Sequence, residues 1–521
     1  MNKKLIFHNN NFISALIFLI SFITYLFTLA PTISWGDSGE LITVAYTLGI
    51  AHPSGYPLYT LFGKLFTFIP IGSIAFRVNL MSAFFASLTV MLIYFNVTKI
   101  IKNKINALFS ALILAFSFVF WSQAVRAEVY ALNAFFFSII LFFLLKWDET
   151  KNVNYLYIMS FVYGLSFTNH LITVIMIIPI MFFLFTSKNN IKFKISKKIF
   201  NIKFLILALL LFILGFLPYI YLPIRSVQNP AIDWGNPENL DNFVKHVTGF
   251  QYRRHMFSNP QIFSKFSESM YFLVLQFTFF IGFAIIGIWF LWKKNRKLVL
   301  FFLLIILCNF LITLNYDIND IIVYYIPMYA IISIFIGIGL GEIIQIFIPK
   351  YKTILIFIIP IIILVISAYF YHERIYNHND YQAYNYASYI FNVLPQNSII
   401  ITETDDELFP LWYMQYVKNK RNDIVIISSR MLPSFWYLNM LYKQYPDLIL
   451  EDYNTMISNF LKRNRLSNVE LMNTTFITEL LIQQQVAKII RSNNETYHAF
   501  DIIANISEIY NYNISIIEEI K

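Results

Sequence analysis

Cysteine is almost absent. Cys308, inside an apolar run, is the one cysteine in 521 residues, so neither a disulfide framework nor a cysteine-based metal site can form within one chain. Charge is scarce too. Asp, Glu, Lys and Arg supply 13% of the residues, against a hydrophobic share of 58% and a mean hydropathy of +0.60. Soluble domains carry about a quarter charged residues, so half that share excludes an ordinary water-soluble globule and makes lipid the main solvent. Acids are the scarcer sign, 29 against 39 basic residues, for a net charge of +10. That surplus lies in separate loops and not in one stripe, which argues against a nucleic-acid partner. The first apolar run lacks a cleavage site, so it reads as a retained helix and not a removable signal. No inverted repeat and no polar residues near a membrane midplane appear, which counts against a transporter.

What the chain does contain is long apolar runs. Eleven spans are expected at roughly 12–30, 79–98, 105–122, 130–147, 154–168, 170–186, 204–223, 270–292, 298–315, 323–345 and 354–371. A helix needs about 20 residues to cross a hydrocarbon core of about 30 Å, and the 154–168 segment falls short of that. Aromatic residues form 19% of the chain, 55 of them Phe and 34 Tyr, as lipid-facing bulk and interfacial belts require.

Lysine sets the orientation. Lys3 and Lys4 precede the first span, and Lys99, Lys102 and Lys104 follow the second. Lys146 and Lys151, the run Lys188 to Lys203, Lys293 to Lys297, and Lys350 with Lys352 occupy every second connection after that. Under the positive-inside rule this alternation puts the N-terminus in the cytoplasm and the end of the eleventh span outside. The other face holds Asp37, Glu40, His52, Arg77, Arg126, Glu128, His170, Arg225, Asp317 and Asp320. Ionisable groups at a membrane boundary are costly and mark function by default.

The first outer loop, 31–78, concentrates that chemistry. It reads Trp35-Gly36-Asp37-Ser38-Gly39-Glu40 and then Gly49-Ile50-Ala51-His52-Pro53-Ser54-Gly55-Tyr56-Pro57. Two carboxylates three residues apart share one face of a helix. The apolar stretch from Leu41 to Ile50 suits a short helix lying along the membrane surface. Residues before proline avoid the helical region, so His52 and Tyr56 mark a turn. Asp37 would otherwise serve as a helix N-cap. Arg126, His170 and Arg225 are candidates for binding a lipid phosphate, since guanidinium matches phosphate oxygens in a planar fork. Snorkelling of Arg225, an Arg126–Glu128 ion pair and an interhelical His170 are the plainer readings of the same residues. Asp37, Glu40 and His52 could in kind ligate a metal, but no HExxH or comparable spacing occurs, and no metal or other cofactor is expected.

These motifs, with Arg77-Val78-Asn79-Leu80-Met81-Ser82-Ala83, Trp121-Ser122, Glu128-Val129-Tyr130-Ala131-Leu132-Asn133, Tyr221-Leu222-Pro223-Ile224-Arg225-Ser226, Asn229-Pro230, Asp317 and Tyr324-Tyr325-Ile326-Pro327, resemble the protein O-mannosyltransferase-like family. That family includes transmembrane protein 260 and many bacterial membrane proteins, and the resemblance covers about the first 430 residues. It implies a GT-C glycosyltransferase fold, an active site on the non-cytoplasmic side, a polyprenyl-phosphate sugar as donor and a protein hydroxyl as acceptor. In such enzymes an acid of the first outer loop lies near the acceptor, and Asp37 matches it. Asp37 would act as general base, with Glu40 sharing that role or holding the acceptor. His52, Arg126, Glu128, His170, Arg225, Asp317 and Tyr324 are the candidate substrate-binding residues. A bacterial inner membrane is the expected location.

The organisation expected is therefore an α-helical polytopic GT-C-like domain over 1–371, with a second large outer loop at 224–269, and a smaller extracytoplasmic α/β domain over 372–521. Residues 397–402 and 423–428 read as strands around a helix at 409–418, a βαβ unit. The acidic turn Glu403 to Glu407 between them reads as a solvated turn and helix cap. Helical periodicity returns from Leu471 to Ile490. The alternative to an enzyme is a non-catalytic scaffold, or a lipid or solute transporter, of the same architecture.

Overall fold

The computed structural model describes residues 10–186, 201–257, 262–318, 320–375, 377–432, 434–445 and 496–498. The expected periodic segment 471–490 and the lysine-rich run 188–198 lie outside them. The chain divides into two compact units that do not follow chain order. One comprises Met1–Pro31, Ser54–Tyr221 and Val247–Asp380; the other comprises Thr32–Pro53, Leu222–His246 and Tyr381–Lys521. The expected division near 371 thus differs from the compact units, because parts of both outer loops pack with the C-terminal segment.

The first unit is helical and built on apolar spans. Among the described residues, seven helices are long and apolar enough to cross a membrane: Asn10–Phe27, Ile74–Ile101, Val129–Thr150, Ile202–Ser226, Ser264–Lys294, Arg296–Leu314 and Ile321–Phe347. Lys104–Ala115 and Phe118–Ala124 make an eighth if that pair, bent by 67°, is one span. Of the expected eleven, seven are thus of full length, an eighth is the bent pair, and the other three fall on shorter helices, Asn154–Phe167, Leu171–Phe185 and Ile354–Phe370. Asn154–Phe167 has 14 residues, about 21 Å at 1.5 Å per residue, which explains why it reads as marginal.

The 67° bend is held by side chains that take up the backbone groups it frees. The Tyr25 hydroxyl donates to the Ala115 carbonyl (2.9 Å), and the Val119 amide donates to Gln276 Oε1 (2.9 Å). Inside a bilayer such groups must be satisfied by protein. Close helix approach is set by glycine. A Cβ on Gly287 would sit 1.9 Å from the Phe335 carbonyl oxygen, and one on Gly339 would sit 2.1 Å from that of Phe283. Small residues at helix contacts are the usual route to tight packing in membranes. Outward leucines such as Leu205, Leu209 and Leu210 stay exposed, as a lipid-facing surface should.

The second unit carries a three-stranded parallel sheet of order β2-β1-β3, with β1 at Ile399–Thr402, β2 at Val425–Ser428 and β3 at Thr496–His498. In it α1 spans Ser38–Thr47, α2 Leu240–Val247 up to the edge of the unit, α3 Gln382–Val393, α4 Asp405–Trp412 and α5 Phe435–Gln444. The β1-α4-β2 segment is the expected βαβ unit. Continuous Ile side chains at 399–401 are buried, as a parallel strand covered on both faces requires. Arg421 locks the entry to the sheet, donating to the carbonyls of Phe391, Leu394 and Pro395 and pairing with Asp423.

The outer-loop pieces join this unit through backbone. The Ile50 amide donates to the Ile232 carbonyl at 2.8 Å and the Trp234 amide to the Ile50 carbonyl at 3.3 Å, a short parallel bridge. Gln444 donates to the Ala231 carbonyl at 2.8 Å, and Lys443 reaches Asn229 and Glu238. Polar pairing, and not apolar periodicity, brings these stretches together.

Candidate active site

In the second unit the chain turns at Gly36 (φ 79°), enters α1 at Asp37, and leaves it at Leu48, whose φ of 57° ends the helix. Asp37 sits at the N-cap position, but its side chain makes no capping hydrogen bond. It lies instead 3.7 Å, Oδ2 to Nε2, from His52. Glu40, one turn on, meets the same imidazole: its Oε2 is 2.6 Å from His52 Nδ1, and its Oε1 accepts the His52 backbone amide at 2.7 Å. The i, i+3 spacing does put both carboxylates on one face, and His52 is what that face holds.

The two acids differ in access. The Glu40 side chain is fully buried, while that of Asp37 is 35% exposed. Both oxygens of Glu40 are engaged by His52, so Glu40 orients the imidazole and Asp37 is the carboxylate that solvent or a substrate can reach. Burial works against a charged His52, but Glu40 and then Asp37, helped by the Glu40 hydrogen bond and by Asp405, raise its pKa to about 10. His52 is an imidazolium at neutral pH. Asp37 therefore faces a neighbouring cation at 3.7 Å.

Aromatic and acidic side chains from the other pieces of this unit surround the group. Trp234 sets its ring edge-on to His52 at 5.9 Å and stacks on Trp436 at 5.0 Å. Asp405 is exposed; desolvation by the groups around it, then Glu40, raises its carboxyl to about 6 despite His52. Burial pushes Asp233 up to about 7, against the Ser226 hydrogen bond at 3.0 Å. Burial, then the charge of His52, lowers His246 to about 3, so it is neutral.

Asp37, Glu40 and His52 bring one potential ligand atom each within 4.8 Å of one another, a spacing that could hold a metal ion. The hydrogen bonds favour another use. In this structure the His52 ring already contacts both carboxylates.

Arg225 also belongs to this unit, and its guanidinium is committed. Nε donates to the Leu48 carbonyl at 2.7 Å, Nη2 to that of Thr47 at 3.4 Å, and Nη1 to Gln228. It caps the C-terminus of α1, where a cation complements the helix dipole. This geometry fits neither snorkelling nor a phosphate clamp.

The first unit holds the remaining candidates. His170 accepts the Ile172 amide through Nδ1 at 3.1 Å, which leaves Nε2 to carry the proton in the neutral ring. Tyr56 stacks on it at 5.9 Å with an interplanar angle of 3°, Tyr130 lies tilted at 5.4 Å, and Tyr324 meets it edge-on at 5.2 Å. His170 and Tyr324 thus come together as expected. Tyr56 and Tyr130, not singled out from sequence, complete the cage, and both stand inside motifs quoted above. Arg126 is half-buried. Among the described residues it has no ion-pair partner, and its Nε is buried without a hydrogen bond. The expected ion pair with Glu128 is therefore not formed; Glu128 bears instead on Tyr59, whose phenol burial, then Glu128, pushes up. Asp317 pairs with Lys265 at 2.5 Å and donates its amide to the His255 carbonyl at 2.9 Å, tying down the 250–257 turn.

Comparison with known proteins places these residues in context. Residues 37–194 match the family profile described as the Protein O-mannosyl-transferase TMEM260 N-terminal domain, and residues 383–509 match TMEM260-associated domain 2. The chain is 26% identical over 447 residues to Protein O-mannosyl-transferase TMEM260 of Mus musculus, covering 80% of this chain and 63% of that protein. It is 26% identical over 481 residues to Protein O-mannosyl-transferase tmem260 of Dictyostelium discoideum, covering 81% of this chain and 58% of that protein. The chain thus spans less than two thirds of the length of the curated relatives it matches. Among solved structures it is similar to ArnT from Cupriavidus metallidurans bound to undecaprenyl phosphate, with a TM-score of 0.53 and 11% identity over 81% of this chain and 91% of that one. The shared fold is the GT-C architecture of a multi-pass membrane protein.

Proposed function

Because the chain belongs to the TMEM260 family of protein O-mannosyl-transferases, we propose that it is a membrane glycosyltransferase that moves a mannose-like hexose from a polyprenyl-phosphate donor to a protein hydroxyl. The observation that carries this reading is Asp37: an accessible carboxylate at a helix start, beside a buried imidazole whose pKa is raised to about 10. Asp37 takes the proton of a Ser or Thr hydroxyl. The acceptor oxygen attacks the anomeric carbon, the bond from that carbon to the phosphate oxygen breaks, and its electron pair leaves with the polyprenyl phosphate. Configuration inverts. General base catalysis of this kind contributes roughly 10²–10⁴-fold.

His52 places a cation beside Asp37, and Glu40 keeps His52 in place. The reading uses no divalent metal; activity abolished by a chelator and restored by one metal would remove that part of it. In the first unit, Arg126 and the tyrosine-caged His170 are the proposed phosphate-binding groups. A half-buried guanidinium without an ion-pair partner among the described residues has hydrogen-bonding capacity to offer an anion, and the supporting likeness is to a protein whose solved structure binds undecaprenyl phosphate. The alternating lysines support an extracytoplasmic reaction with the N-terminus inside; a bacterial inner membrane is part of the same proposal, although the two relatives named above are eukaryotic.

The test is transfer from labelled polyprenyl-phosphate mannose to a Ser/Thr-rich peptide by the purified full chain in nanodiscs. Asp37→Asn, properly inserted, is expected to lower turnover by at least about 10²-fold. Turnover near that of the unaltered chain in this variant would remove Asp37 from the mechanism. No transfer from any prenyl-linked sugar would favour the scaffold reading.

A further inference from the structure

The acidic start of α4 looks at first like helix capping and nothing more. Thr404 accepts the Glu407 amide at 3.3 Å, and Glu407 accepts the Glu403 amide at 2.7 Å and the Thr404 amide at 3.4 Å, a complete capping box. Carboxylates in a first helical turn also complement the helix dipole. That accounts for Glu407, but not for where Asp406 points. Asp406 takes no part in the capping box. Its Oδ1 accepts the backbone amide of Gly36 at 2.7 Å, across 370 residues of sequence.

Gly36 is the residue immediately before Asp37, and its φ of 79° makes the turn that starts α1. The neighbours on either side of that turn are held by the same C-terminal stretch. The Trp35 ring lies 5.6 Å from that of Tyr386, and its Nε1 donates to Gln382 Oε1 at 3.3 Å. A Cβ on Gly39 would stand 2.7 Å from the Phe409 carbonyl oxygen, so α1 and α4 touch backbone to backbone. The strongest of these ties, by length and by the charge of its acceptor, is the one from Asp406.

We infer that Asp406 is a positioning residue for Asp37: through the Gly36 amide it fixes the turn that aims the base, so the C-terminal segment is a working part of the site. This rests on the reading of Asp37 as the base. A displacement of about 1 Å in a reacting group can cost around 10²-fold in rate, which sets the scale expected.

The experiment compares Asp406→Ala, Asp406→Asn and Asp37→Asn in the full chain in nanodiscs, reading kcat, the KM for the lipid donor, and hydrogen exchange of the peptide containing Gly36. Asp406→Ala is expected to lower kcat by about 10- to 100-fold with donor KM within about two-fold, and to speed exchange at Gly36. Asp406→Asn keeps an acceptor oxygen at the same reach and is expected to recover most of the lost rate. If Asp406→Ala leaves kcat intact while Asp37→Asn abolishes it, the positioning role is overturned and the base stands. If Asp406→Asn is as impaired as Asp406→Ala, charge and not the hydrogen bond matters, and the inference fails as stated. If Asp37→Asn stays active, the base reading fails, while Gly36 exchange still scores the clamp. Should Asp406→Ala not fold, exchange in the unaltered chain decides: a fast-exchanging Gly36 amide has no such bond.

Discussion

Single side chains settle questions that residue type leaves open. Arg126 and Arg225 look alike in sequence, each an arginine at the expected outer boundary. One has no ion-pair partner among the described residues; the other is spent on two carbonyls and Gln228. Arg126→Ala is therefore expected to raise the KM for the lipid donor with little change in melting temperature. Arg225→Ala is expected to destabilise by about 1–2 kcal/mol through loss of charge-assisted hydrogen bonds, with donor KM unchanged. Measuring donor KM and melting temperature for both variants checks this, and a donor defect confined to Arg225→Ala would reverse the assignment. His52 gives a pH dependence with a definite sign. Its folded pKa is raised to about 10, against about 6.5 in an unfolded chain. Its contribution to stability is thus fully present below about pH 6.5 and is lost as pH rises through about 10. His52→Gln should lose stability at neutral pH and flatten that alkaline decline. An unaltered alkaline melting profile in this variant would show that His52 is not the titrating group.

At the level of elements, α1 is held by what touches its ends and by what its glycine admits. The turn expected at His52-Pro53 and Tyr56-Pro57 is met, but the helix expected along the membrane surface from Leu41 to Ile50 is instead α1, Ser38–Thr47, which starts before Glu40 and is buried against protein through Ala45. The side chains that fasten it were not legible in the same way. Gly39 carries no mark in sequence distinguishing it from the turn glycine at 36, yet it abuts the backbone of α4. Gly39→Val is expected to push α1 from α4, costing at least about 1–3 kcal/mol as overpacking does, and to lower kcat with it. Equal stability of the Gly39→Val and unaltered chains by thermal melting would count against that contact. The turn 403–407 is a helix cap as expected, but one of its acids does a second thing that no local pattern announces.

For the molecule as a whole, the alternation of lysines makes a prediction about sidedness that needs no ligand. Cys308 is the sole cysteine, so replacing it by Ala gives a background for single-cysteine variants. In intact cells or right-side-out vesicles, Gly72→Cys is expected to react with a membrane-impermeant maleimide and Lys102→Cys to react only after permeabilisation. The opposite labelling pattern would invert the orientation and place the Asp37 loop in the cytoplasm.

The chain's amino-acid order was enough, by itself, for its solvent class, its family and the pair of acids at 37 and 40. Lipid demands long apolar runs, and helical repeat geometry dictates which nearby residues share a face; both are local rules that a linear string obeys. Tertiary structure alone decided which acid is accessible, which arginine is occupied, and that a carboxylate at 406 reaches the amide at 36. Polar groups separated by hundreds of residues pair according to where loops cross in space, and hydropathy carries no record of those crossings.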